Sequence, residues 1–545
     1  MRQTIALIIT ALALSINLNA QCPSLILGGE LGNSSASCTA DIERIFPQLR
    51  AMQLNTVLVP AYWDLTEPTE GNFDFTLTDK VITTAQANDL KVIFLWFGAW
   101  KNSMSCYTPA WFKTDYQRFP RAVTADGKPL EIASAFAENV FKADSTAFAA
   151  WLRHINSVDA NHTVVMLQIE NEIGMLESAR DHSSVANEHF NAQVPADLTA
   201  FLKQNKASLH PQMARKWSGK TSGTWVELFG NDIYTDEIFM AYHYARYVER
   251  MAQTARQFTD IPLYVNAAMN SRGRQPGQYP SAGPLAHLID VWHAAAPSLA
   301  FLSPDIYDDG FPDWIAQYHR PNNRLFIPEM KLSPADGAQA FYAIAEHDAL
   351  GTSPFSIENA SGATERSITQ AYAALRQLAP VIEEHRGKGT MHGLLFQHKD
   401  DATTIADGDL RITAKHFFTL PWDARATDGS PWPTAGGMII RLDTNEYIVA
   451  GCGIVITFES DGERTEPKNL GEDGFAASGS ETVDSQKWNA KQRTGILSVD
   501  QIAIDENAQF HFIRRLNGDE DHQGRHVRIG VDEFSILHVK LYQYQ

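Results

Sequence analysis

The sequence predicts an α/β protein: a (β/α)8 TIM barrel followed by a C-terminal all-β sandwich domain. Over roughly the first 385 residues, short apolar runs alternate with amphipathic helical stretches, the pattern of parallel βα units. After about residue 387 the texture changes to short alternating runs separated by turns rich in Gly, Asp and Asn. No Gly-rich phosphate turn follows the first strand, which weighs against a doubly wound sheet. The expected division is 1–20 export signal, 21–387 barrel and 388–545 sandwich.

The eight expected barrel strands are 24–28, 56–61, 91–97, 163–169, 262–266, 299–304, 325–328 and 353–357. Each is a short apolar run bounded by polar or turn residues, as buried parallel strands are. Helical periodicity fills the gaps. Residues 41–52 place Ile42, Ile45, Phe46 and Leu49 on one face. The stretches 77–89, 145–157, 236–257, 282–295, 339–348 and 365–385 behave alike, the last despite Pro380. The largest insertion, 175–235, is polar and interrupted by Pro195 and Pro211. Loops at this end of a barrel build the site, so this one is expected to wall a cleft. In the last domain, expected strands lie at 391–397, 403–418, 437–440, 447–458, 495–504, 510–513 and 534–545, with a polar, Gly-rich loop over 461–490.

Composition narrows the class of partner. The 545-residue chain is 44% hydrophobic and 20% charged, enough for a large core. A formal net charge of −19 disfavours nucleic acid and anionic membranes. Residues 1–20 read as an export signal: Arg2, a short apolar run, then Ala20. That run is too short to favour a membrane span, and no later segment is apolar enough. Export implies a periplasmic or extracellular protein. A lipid anchor on Cys22 is disfavoured by Asn19 and Gln21. Cys38 has two candidate disulfide partners, Cys22 and Cys106, and Cys452 reads as a buried free thiol. No cysteine spacing suits zinc, no nucleophile elbow is present, and no cofactor is expected.

Two strand ends carry chemistry. Glu172 closes the run around Gln168-Ile-Glu-Asn-Glu-Ile-Gly174, and Glu329 closes Leu325-Phe-Ile-Pro-Glu329. A carboxylate at the C-terminal end of a barrel strand reads as catalytic. Two of them across a barrel mouth can serve as the acid/base and nucleophile of a retaining glycosidase. Spacing alone does not choose Glu172 over Glu170, which has the same strand parity, nor Glu329 over Glu358. The partner expected is an oligosaccharide or polysaccharide.

The stretch 168–174 resembles the acid/base signature of the clan A glycoside hydrolases, most closely the family 35 β-galactosidases. Leu54-Asn-Thr-Val-Leu-Val-Pro-Ala-Tyr-Trp-Asp-Leu-Thr-Glu-Pro68, Gly71-Asn-Phe-Asp-Phe75 and Pro109-Ala-Trp-Phe112 are similar to that family too. The resemblance implies that Glu172 is the acid/base, Glu329 the nucleophile, and Glu170 structural. It implies that Asn171 contacts a sugar hydroxyl and that Tyr307 orients the nucleophile. Tyr62, Trp63, Trp100 and Asn266 are further candidate sugar contacts, with Trp217 and Trp225 as an outer subsite. Three departures stand out. Pro60 replaces a sugar-contacting Tyr, for which Tyr62 is a substitute. The third strand ends Gly98-Ala-Trp-Lys101 where Ala-Glu is common. Pro-Glu-Met-Lys around Glu329 is not typical. The implied activity is a retaining exo-β-galactosidase trimming terminal galactose, including from xyloglucan-type fragments. The alternative is another clan A β-glycosidase, of family 42 or 5 type, acting on mannosides or glucosides. A carbohydrate-binding protein without turnover is disfavoured because both glutamates are present.

Overall fold

The computed structural model describes residues 23–420, 422–460 and 493–544. The export signal, Cys22 and the expected loop at 461–490 lie outside the described residues. Two compact units form, one from 1–331 with 350–359, the other from 332–349 with 360–545.

The first unit is built on eight parallel strands: β1 (Ile26–Leu27), β2 (Thr56–Tyr62), β3 (Lys91–Lys101), β4 (Val164–Asn171), β5 (Leu263–Ala268), β6 (Phe301–Ile306), β7 (Ile327–Met330) and β8 (Gly351–Pro354). Each neighbour in space is a neighbour in this order, and β1 pairs with β8. Closure between β1 and β2 falls to Glu30, which bridges in parallel to both Leu58 and Phe355. All eight expected strands are present. Every residue of β2 and β4 is buried, as strands covered on both faces must be.

Helices α1 (Thr39–Ala51), α2 (Thr76–Ala87), α3 (Glu138–Val158), α4 (Ile233–Ala255), α5 (Ile289–Ala295) and α6 (Phe311–Tyr318) follow the first six strands in turn. α1 buries Ile42, Ile45, Phe46 and Leu49, the face its periodicity predicts. The helix expected over 282–295 is shorter. Ala282-Gly283-Pro284 bends the chain, with Ala282 at φ +66°, before a 3-10 turn at Ala286–Leu288 leads into α5. The insertion after Glu172 folds into four short helices, Ser184–Asn191, Ala196–Gln204, Pro211–Lys216 and Trp225–Phe229. Its prolines start helices instead of breaking them: Pro195 caps the second and Pro211 opens the third.

The second unit contains α7 (Asp336–His347), α8 (Gly362–His385) and two antiparallel sheets. In chain order the strands are β9 (Met391–Phe396), β10 (Ala402–Asp407), β11 (Leu410–His416), β12 (Ala435–Asp443), β13 (Glu446–Cys452), β14 (Ile454–Ser460), β15 (Arg493–Ile504), β16 (Phe510–Arg515), β17 (Val527–Ile529) and β18 (Ser535–Tyr544). One sheet runs β9-β12-β13-β18-β15-β16 and the other β10-β11-β14-β17. A shared core joins them, with Leu394, Ile439, Val449 and Leu537 from the first and Ile412, Ile456, Phe458 and Val527 from the second. α7 packs on β9 and β12. The run expected as one strand at 403–418 is a hairpin, β10 and β11, turning at Gly408 with φ +59°. Cys38, Cys106 and Cys452 are free thiols, so the Cys38–Cys106 pairing does not form, and Cys452 is only half-buried. Among the described residues no helix is long and apolar enough to cross a membrane.

Candidate active site

β4 ends in a distorted turn of backbone. Glu170 and Glu172 both hold positive φ, +58° and +48°, a region non-glycine residues avoid. On the neighbouring strand the register slips between Trp96 and Lys101, so that Lys101 stands beside Asn171. This irregularity breaks the inside–outside alternation that makes Glu170 and Glu172 look equivalent in the sequence.

Glu170 turns to the helices. Its carboxyl hydrogen-bonds Asp144 of α3 and accepts the Trp100 backbone N–H at 2.8 Å. Asp144 in turn accepts from Trp96 Nε1 at 2.8 Å and from the Tyr247 hydroxyl at 2.7 Å. Burial, then the Asp144 charge, push Glu170 well above the ordinary carboxylate range. The two acids belong to one buried hydrogen-bonded network.

Glu172 meets the other strand ends. One carboxylate oxygen from each of Glu172, Asp305 and Glu329 lies within 4.8 Å of the others. Asp305 of β6 and Glu329 of β7 are register partners. Glu172 Oε2 accepts from the Asn102 side-chain amide and lies 3.8 Å from Lys101 Nζ. The Glu172 backbone N–H donates to Asn266 Oδ1 at 2.9 Å, and Asn266 Nδ2 donates to Asp305 Oδ2 at 2.7 Å. The Tyr307 hydroxyl donates to Glu329 Oε1. Burial first, then repulsion from Glu329, raise Glu172 to about 7, against the pull of Lys101. Burial and the Glu329 and Glu172 charges also hold Asp305 well up, and burial with Glu329 does so for Glu30.

The remaining candidates are distributed unevenly. Asn171 ends β4 fully buried, and neither atom of its amide has a partner among the described residues. Asn266 is a strut under the Glu172 backbone. Tyr62 is buried against Phe97 and Tyr107, its oxygen accepting from the Ala36 N–H at 3.3 Å. Trp63 and Trp100 are 0% exposed, so neither offers a face to a sugar. Trp63 packs on Trp111 and Phe112 with its indole N–H on Glu67, and Trp100 packs on Tyr244 and Tyr247. Trp217 and Trp225 are buried within the insertion and do not form an outer subsite. Glu358 binds the Gly32 N–H and the Ser35 hydroxyl in the loop after β1. Four members of the constellation escaped sequence reasoning: Glu30, Lys101, Asn102 and Asp305. Lys101 carried a signal, since the end of its strand, Gly98-Ala-Trp-Lys101, departs from the resembled family.

A trio of carboxylates can serve as cation ligands or as acid chemistry on a sugar; comparison with known proteins bears on the choice. Residues 36–228 match the family model of glycoside hydrolase family 42, described as a β-galactosidase. The match includes Glu172 and ends before Glu329, and it is to family 42, the alternative above, where the motifs resemble family 35. Residues 368–528 match a domain of unknown function, DUF5597. No curated protein matches the chain. Among solved structures it is similar to three β-galactosidases. That of the psychrophilic Marinomonas ef1 is 13% identical, covering 65% of this chain and 60% of that one, with a TM-score of 0.43. That of Bacillus circulans sp. alkalophilus is 15% identical, covering 67% and 58%, TM-score 0.46. That of Rahnella sp. R3 is 17% identical, covering 67% and 58%, TM-score 0.45. The chain spans less than two thirds of each of these relatives.

Proposed function

We propose that the protein is a retaining β-galactosidase that removes terminal galactose from oligosaccharides. The observation that carries this reading is the approach of Glu172 and Glu329 oxygens to within 4.8 Å from two barrel strands. Retaining glycosidases hold their carboxyl groups roughly 5–5.5 Å apart, whereas inverting ones leave roughly 6.5–9.5 Å for a water. The roles divide by environment. Glu172 keeps its proton to about pH 7 and delivers it to the glycosidic oxygen. Glu329, oriented by the Tyr307 hydroxyl, attacks the anomeric carbon and forms a glycosyl-enzyme. Glu172, now ionised, then takes a proton from water, which releases the sugar with its configuration kept.

Glu329→Gln is expected to abolish hydrolysis of an aryl β-galactoside. Glu172→Gln should slow hydrolysis of an unactivated galactoside by roughly 10²–10⁴-fold, yet spare the formation of the glycosyl-enzyme from substrates with a good leaving group. A first-formed α-anomer in the NMR spectrum would exclude retention. A second reading places another sugar in the same site, because the third strand ends Gly98-Ala-Trp-Lys101 and not in the Ala-Glu common in family 35. Rates on a panel of aryl β-galactosides, β-mannosides and β-glucosides separate the two. The leader read in residues 1–20 supports action outside the cytoplasm, and N-terminal sequencing of the secreted chain tests it.

A further inference from the structure

Four carboxyl groups converge at the barrel mouth: Glu30 after β1, Glu172 after β4, Asp305 on β6 and Glu329 on β7. All are at most 5% exposed. So many buried acids cannot all ionise without a positive charge beside them. Lys101, the last residue of β3, brings that charge. It is 2% exposed, its ammonium 3.8 Å from Glu172 Oε2 and 5.1 Å from the centre of the Phe97 ring. It feels Glu172, Glu329, Glu30 and Asp305 together. The register slip between Trp96 and Lys101 brings Lys101 level with Asn171. The next residue, Asn102, donates to the oxygen that Lys101 faces.

We propose that Lys101 is a positioning residue, the internal counter-ion that clamps one oxygen of Glu172 and offsets the charge of the four-acid cluster. The inference rests on the glycosidase reading above. Lys101 makes no bond to the sugar; its charge fixes the number of protons the cluster holds, and its contact with Oε2 leaves the other oxygen of Glu172 to carry the mobile proton. The groups facing the cluster are Tyr307 on Glu329, Glu358 and Tyr264 of β5 near Glu30, Tyr318 near Asp305, and Cys106 and Tyr107 beside Lys101. Among these groups Lys101 is the only cation.

Lys101→Met removes the charge and keeps an unbranched apolar stem. Without the cation every carboxyl in the cluster ionises less readily, so both limbs of the kcat/KM–pH profile on an aryl β-galactoside should move to higher pH, by about one to three pH units. Lys101→Arg should hold the limbs at their wild-type positions. Should Lys101→Met fail to fold, the wild-type enzyme still decides. A buried counter-ion is screened little, so its limbs should stay in place between roughly 0.01 and 1 M salt. Limbs that stay put in Lys101→Met, that move in Lys101→Arg as far as in the Met variant, or that drift with salt would each overturn the proposal. Glu329→Gln assayed in parallel separates the two failures: inactive Glu329→Gln beside unmoved limbs sinks the counter-ion role alone, while active Glu329→Gln sinks the glycosidase reading.

Discussion

Glu170 and Glu172 stand two residues apart on one strand and face opposite surroundings. Alternation along a strand makes them equivalent, and only the left-handed backbone at both positions separates them. No residue type announces that turn, since both are glutamates in a conformation glycine would favour. Lys101 was hidden for the opposite reason: it is conspicuous in sequence but its ion pair depends on a register slip. Glu172 must be protonated to act as an acid, so kcat/KM should fall as pH rises through about 7, a fall that steady-state rates across pH 5–9 would reveal. Glu170 is expected to behave otherwise. Its folded-state pKa is raised, so its stabilising contribution is full below the ordinary carboxylate range and is lost as pH rises above it. Glu170→Gln keeps the acceptor for the Trp100 N–H and carries no charge. Its kcat/KM should stay within a few-fold of wild type, and its urea midpoint should vary less with pH above 5 than the wild-type midpoint does.

The barrel elements were readable because parallel strands buried on both faces leave continuous apolar runs. The helix α6 was not: it has only eight residues and opens with Phe311-Pro312, too short for a periodic signal. The β10–β11 hairpin was merged into one run because its turn, Asp407-Gly408-Asp409, is very short. β17 is three residues long and left no pattern. The tightest element junction is where β8 starts beside β1. A Cβ on Gly351 would lie 1.8 Å from the Ile26 carbonyl oxygen, a backbone atom that cannot yield. Gly351→Ala should therefore force β1 and β8 apart and cost about 1–3 kcal/mol. Equilibrium urea unfolding measures this, and an unchanged midpoint would contradict the closure described here.

At the level of the whole molecule the chain does not finish one unit before beginning the next. It leaves the barrel after Lys331, contributes α7 to the second unit, returns for β8 and leaves again after Asn359. The sequence reading placed a single change of texture near residue 387, because helices α7 and α8 continue the βα rhythm and carry no mark of which sheet they cover. α7 lies on β9 and β12, strands beginning at Met391 and Ala435. A fragment ending at residue 387 keeps α7 but none of those strands. It should be poorly soluble and bind a dye that reports exposed apolar surface, whereas the full chain should not. A soluble, dye-silent fragment would count against this assignment of α7.

The interleaving also sets a timetable on the ribosome. Residues Gly351–Pro354 and the Glu30–Phe355 bridge complete the ring of strands, so the barrel stays open until they have emerged. By then α7 has already left the exit tunnel, with its sheet not yet translated. At elongation speeds of roughly 5–20 residues per second, the wait from His347 to the end of β12 at Asp443 lasts about 5–20 s. A nascent chain holding an uncovered helix for that long is a natural client for a holding chaperone.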